Sequence, residues 1–191
     1  RVVGLDEHGS LAFGLGTGGL DNSVLPIGEA RVPDGEIFEI SPARSAVMQA
    51  VAAKVVRDGG TALTIDYGHL ITGFGDTLQA VYQHGFDPPL SRPGEADLTS
   101  HVDFQVLAEA AKAVGAHVHR PITQGDFLVG LGILERAGAL GTDRDRLTQA
   151  AIRDAVNRLA GEGEGRMGAL FKVLAISGKP VRIAPFDPQS A

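Results

Sequence analysis

Between the glycine pair Gly59-Gly60 and the polar quartet Asp66-Tyr67-Gly68-His69 runs Thr61-Ala62-Leu63-Thr64-Ile65, uncharged and rich in β-branched residues. Such a run suits a strand buried on both faces of a parallel sheet, and a strand of that kind needs helices to cover it. The preceding residues supply one. Ser41 stands at the cap and Pro42 at the first helical position. Val47, Val51 and Val55, with Ala50, then make an apolar stripe, and Gly59-Gly60 stops the helix by allowing a left-handed turn.

The alternation continues on both sides of this pair. Upstream, residues 1–6 and 11–15 read as two strands joined at His8-Gly9, residues 16–35 as an irregular connection, and residues 36–40 as a short strand. Downstream, residues 70–100 are loop-rich, with one strand expected over residues 77–82. Asp103 caps a helix whose inner face is Phe104, Leu107, Ala108, Ala111 and Val114, stopped by Gly115. A strand follows over residues 116–119. Thr123 caps a third helix carrying Phe127, Leu128 and Leu131. A fourth spans residues 143–160 with Leu147, Ala151, Ala155 and Leu159 on one side, and residues 169–176 form the last strand. This order predicts an α/β fold. It divides into a hairpin and linker (1–40), helix and strand (41–69), a loop-rich insertion (70–102), helices and final strands (103–177) and a tail (178–191). A first strand at Arg1, with no Met before it, reads as a fragment or a trimmed product.

Composition narrows the function. A chain of 191 residues without cysteine has no disulfide and no thiolate metal site. A net charge of −6 argues against non-specific nucleic-acid binding, which needs excess cations. No apolar run is long enough to span a bilayer, and the first residues lack the pattern of a signal peptide.

Ligands of open α/β sheets sit outside the carboxyl ends of the strands. Asp66 and His69 are therefore the candidate catalytic residues, and Tyr67 and Gly68 candidate substrate contacts. Asp76, Asp97 and His101 belong to the loop-rich insertion, where binding residues often sit; turn chemistry is the plainer explanation of Asp76 and Asp97, and His101 with Asp103 reads as a buried or wall-forming histidine beside a helix cap rather than as two metal ligands. Gln124 and Gly125, at a strand-to-helix step, complete the set. Gly14-Leu15-Gly16-Thr17-Gly18-Gly19 fits a dinucleotide fingerprint in letters, but no helical pattern follows it, so it reads as a loop. His117 and His119 share one strand face without a third ligand nearby, and no metal is expected.

Five stretches recur in this order in one family: Ile65-Asp66-Tyr67-Gly68-His69, Gly75-Asp76-Thr77-Leu78-Gln79-Ala80, Pro93-Gly94-Glu95-Ala96-Asp97-Leu98-Thr99, His101-Val102-Asp103-Phe104 and Thr123-Gln124-Gly125-Asp126-Phe127-Leu128. They resemble the MidA-like methyltransferases, which include a mitochondrial complex I assembly factor that methylates an arginine. The resemblance implies the C-terminal half of a class I, Rossmann-like methyltransferase sheet with an antiparallel final strand. It implies S-adenosylmethionine as cofactor of the full-length protein, held by residues upstream of Arg1, so the chain alone is expected to be inactive. It also implies a protein acceptor, with a respiratory complex I subunit as one candidate, and a bacterial cytoplasmic or mitochondrial setting. A half sheet leaves an unpaired edge, so self-association is expected. The alternative reading is a non-catalytic protein-binding assembly factor.

Overall fold

The computed structural model describes residues 1–19, 25 and 32–186. In chain order its elements are β1 (Val2–Leu5), β2 (Leu11–Gly14), α1 (Pro42–Asp58), β3 (Thr61–His69), β4 (Gln79–Tyr82), β5 (Gly85–Asp87), β6 (Asp97–Thr99) and β7 (Val102–Asp103). There follow α2 (Phe104–Ala113), β8 (His117–Val118), β9 (Ile122–Thr123), α3 (Gln124–Gly130), α4 (Ile133–Gly141), α5 (Arg146–Ala160) and β10 (Phe171–Ser177). They form two compact units, Arg1–Ile40 with Gly73–His101, and Ser41–Thr72 with Val102–Ala191.

The first unit is all β. β1 and β2 form the expected antiparallel hairpin, and β4 lies between β5 and β6 in a three-stranded antiparallel sheet. That sheet exceeds the single strand expected of residues 70–100. Its β4–β5 turn uses two residues in the left-handed region, Gln83 and His84, which is not a glycine signal. Conversely, residues 36–40 make no strand; only Phe38 bridges Phe74, with their rings 5.5 Å apart. The connection read over residues 16–35 lies largely outside the described residues.

The second unit is α/β and carries the core. Its sheet runs β7-β3-β10-β8, with β9 also paired to β10. β3 pairs antiparallel with β10 over its first seven positions and parallel with β7 at Gly68 and His69. The strand is thus longer than its apolar run, because Asp66 and Tyr67 have ladder partners in Lys172 and Phe171. Leu174 and Ile176 of β10 pack with Met48 and Ala52 of α1 and with Phe104, Leu107 and Ala111 of α2. That contact corrects the expected face of α1: Met48, Ala52 and Val55 are buried, whereas Val47 is 65% exposed. Gly59 and Gly60 take the positive φ that ends the helix.

The helices near the C-terminus also differ from expectation. Residues 133–141 form a separate helix, α4. The side of α5 that turns inward carries Ile152 and Val156, while Leu147 is 85% exposed. α3, α4 and α5 surround an apolar groove lined by Leu128, Ile133, Leu140, Ile152, Val156 and Leu159. Asp145 caps α5 by accepting from the amides of Leu147 and Thr148. On the outer edge of β3, residues 61–67 have no ladder partner among the described residues. Leu63 and Ile65 on that stretch remain about half exposed, at 47% and 46%. Among the described residues no helix is long and apolar enough to cross a membrane.

Candidate functional site

The carboxyl end of β3 gathers the candidate groups of the second unit. Asp66 is half-buried and its Oδ1 accepts the Tyr67 amide at 2.8 Å. Its Oδ2 has no hydrogen-bond partner among the described residues, which leaves that oxygen for a ligand. Tyr67 meets Phe171 edge-on, with ring centroids 5.7 Å apart. At Gly68 an added Cβ would lie 2.0 Å from the Val102 carbonyl oxygen. Glycine is therefore needed for β7 to approach β3 at all. His69, one position on, places Nε2 3.4 Å from Oδ2 of Asp103.

In the sequence Asp103 reads first as a helix cap. It is one, since its Oδ1 accepts the Val106 amide at 3.0 Å, but its second oxygen faces His69. The side chain is 17% exposed, so water screens the pair less than a surface pair. A protonated His69 ring has a carboxylate within ion-pair reach, fixed in direction by the cap it also forms. Helix capping is the sequence signal for Asp103; nothing in the letters joins it to His69.

Lys172 is the other residue that sequence reasoning passed over. In the ladder it lies opposite Asp66 on one side and Thr123 on the other, so β3, β10 and the start of α3 share one end of the sheet. Gln124 is buried there, and its amide Nε2 donates to the Leu159 carbonyl at 2.8 Å. The Gly125 amide donates to Gly168 O at 2.9 Å, and a Cβ on Gly125 would meet Ala160 O at 2.7 Å. Both residues tie α3 to the end of α5 and the loop behind it.

Asp76, Asp97 and His101 lie in the first unit. Arg1 forms a two-bond fork on Asp76, at 2.7 and 2.8 Å, which lowers the Asp76 pKa, and the Arg1 guanidinium lies 4.8 Å from the Phe13 ring centre. Thr77 donates its amide to Glu39 at 2.9 Å and its hydroxyl to the same carboxylate. Its oxygen in turn accepts the His101 amide. Asp97 sits in β6 opposite Val81.

The adenosyl cofactor of methyltransferases normally needs open backbone amides where a strand gives way to a helix. At the step into α3 the Gly125 amide is already spent and its Cβ position is filled by backbone. At the step into α2 the cap is the Asp103 carboxylate. Gly14 of the glycine-rich stretch is in the β1–β2 hairpin, paired with Val2. None of these three places offers the cofactor a free set of strand-to-helix amides. His117 and His119 stack edge to face at 4.9 Å, and among the described residues no group of three His, Asp or Glu side chains could hold a metal ion.

An α/β sheet with polar groups at the carboxyl end of a central strand and an antiparallel last strand is the arrangement of Rossmann-like methyltransferases. Residues 1–122 match the family described as "Putative S-adenosyl-L-methionine-dependent methyltransferase", and the chain belongs to that family. It is 38% identical over 130 residues to the mitochondrial protein arginine methyltransferase NDUFAF7 homolog of Drosophila melanogaster, covering 66% of this chain and 28% of that protein. The homolog from Caenorhabditis elegans is 32% identical over 181 residues, 91% of this chain and 40% of the relative. Two solved chains from Burkholderia thailandensis superpose with TM-scores of 0.78 and 0.75 at 27% and 28% identity, and the second has S-adenosyl-homocysteine bound. Each match covers 92% of this chain, and 47% and 46% of the respective neighbour. The chain thus spans less than half the length of the relatives it matches.

Proposed function

We propose that these residues form the acceptor-binding part of a protein arginine methyltransferase. The observation that carries this reading is the His69–Asp103 pair at the carboxyl end of β3, 3.4 Å from Nε2 to Oδ2, with Asp66 three residues earlier on the same strand. A guanidinium is charged at every working pH and is a poor nucleophile. A carboxylate can take two of its N–H groups and set its direction. In this reading Asp66 does that with Oδ2, the oxygen that the Tyr67 amide does not occupy. His69, whose Nε2 faces Asp103, accepts the proton that the attacking nitrogen gives up, at Nδ1. Tyr67 and Gly68 shape the wall beside them. Asp76, Asp97, His101, Gln124 and Gly125 are assigned to substrate binding on their motifs, with the hydrogen bonds above as the competing account of Asp76, Gln124 and Gly125.

S-adenosylmethionine is the methyl donor of this proposal, held by residues outside the 191 described by the sequence. Family membership supports that choice, as does the outer edge of β3, where residues 61–67 have no ladder partner among the described residues. Without that part the chain is inactive here and acts at most as a protein-binding module. The arginine methyltransferase names of the relatives support a protein acceptor, and the resemblance to a complex I assembly factor makes a respiratory subunit the first to try. A bacterial cytoplasm is kept as the first setting to test, with the mitochondrion named for the animal relatives as the alternative.

The test is Asp66→Asn in the full-length protein, assayed for methyl transfer to an arginine peptide. Turnover should fall by about a hundredfold or more, as for loss of a group that holds the reacting atom. Unchanged turnover removes Asp66 from the mechanism.

A further inference from the structure

Lys172 is the one cation in β10, and Val173, Leu174, Ala175 and Ile176 after it are all buried. It is itself only 9% exposed, and burial lowers its pKa. Its ammonium group is spent on backbone carbonyls: Gly68 O at 2.8 Å, Ala169 O at 2.5 Å and Leu170 O at 3.1 Å. An ammonium has three donors, so the group is satisfied in full. Among the described residues it has no carboxylate within ion-pair distance. The charge is balanced by carbonyl dipoles alone, which is a costly way to fill a place that an apolar chain of similar volume could occupy.

What those bonds join is specific. Gly68 donates its amide to Leu170 O at 3.2 Å, so both backbone groups of Gly68 are tied to the turn that leads into β10. On its other side Gly68 abuts the Val102 carbonyl. The backbone from which Asp66, Tyr67 and His69 project is therefore gripped between β7 and Lys172.

We propose that Lys172 is a positioning residue, which clamps the Gly68 carbonyl to those of Ala169 and Leu170 and so fixes the geometry of the β3 strand end. Its catalytic consequence rests on the assignment of that strand end to acceptor binding; the clamp itself does not.

Two measurements separate these. Amide hydrogen exchange by NMR on this chain reads the clamp without catalysis. In Lys172→Met the Gly68 amide should exchange about tenfold faster or more, while the amides of Val173 and Ala175 keep their protection. Unchanged exchange at Gly68 overturns the clamp. If Lys172→Met melts the whole sheet, Lys172→Ala supplied with methylammonium decides: recovered protection at Gly68 supports the clamp, and no recovery overturns it. In the full-length protein, Lys172→Met should lower kcat for an arginine peptide about tenfold with KM for the peptide within about twofold. A loosened Gly68 with unchanged kcat refutes the positioning role and leaves the methyltransferase reading intact. A parent protein without methyl transfer sinks that reading instead, with the clamp still judged by exchange.

Discussion

Gly68→Ala tests the local geometry most sharply. The new Cβ would sit 2.0 Å from Val102 O and 2.9 Å from both Val102 C and Val102 N. These are backbone atoms, so no side chain can swing aside; β7 must retreat from β3. That retreat breaks the parallel bridge of Gly68 with Val102 and His69 with Asp103. Overpacking of this kind costs about 1–3 kcal/mol, and a lost buried backbone hydrogen bond about 1 kcal/mol. A loss of about 2–4 kcal/mol follows. With a urea dependence of about 2 kcal/mol per molar, the unfolding midpoint should fall by roughly 1–2 M. Circular dichroism during urea titration measures it. Gly73→Ala is the control, because the Cβ position at Gly73 is open and its midpoint should stay put. A Gly68→Ala midpoint indistinguishable from the parent's would refute the close approach of β7, and with it the placement of Asp103 against His69.

Asp103 can be divided into its two roles. Asparagine is as good a helix cap as aspartate, so Asp103→Asn should leave the melting temperature nearly unchanged. In the full-length protein it should still lower turnover, because His69 loses its carboxylate; equal turnover would make Asp103 a cap alone. Asp76 gives a pH signature in the first unit. Its pKa is lowered chiefly by the hydrogen bonds from Arg1, so its stabilising share is present above roughly pH 4 and is lost as pH falls through the lowered folded value. The pair is partly exposed, so the share is at most about 1 kcal/mol. Unfolding of Asp76→Asn and the parent should differ at neutral pH and converge in acid; a gap that persists in acid contradicts the pairing.

Much of the α/β order could be read from local chemistry. Asp103 and Gly115 bound α2 as capping and left-handed glycines should, and Gly59-Gly60 ends α1. Errors came where the partner decides. The alternation of α1 offers two apolar sides, and β10 with α2 chose Met48 and Ala52 over Val47 and Val51. α5 likewise turns Ile152 and Val156 inward because α4 packs there, and α4 itself holds Gly138 and Gly141, helix-weakening residues that hide the spacing of Ile133, Ala137 and Leu140. Asp66 and His69 looked like a strand's end because they are polar; pairing with β10 and β7 extended the strand through them. The site was half legible for the same reason. Its motif on β3 stands in the letters, whereas Asp103 and Lys172 reach it through the fold, from capping and ladder positions that carry no mark of their second contact.

The central claim, that these residues are the acceptor side of a methyltransferase and the cofactor side lies elsewhere, is tested most directly by calorimetry. S-adenosylmethionine is titrated into this chain and into the full-length protein under the same conditions. Saturable binding to the full-length protein, with no measurable heat of binding to the 191 residues, is the predicted result. Equal affinity for both would contradict the account, and absence of binding to the full-length protein would remove its basis.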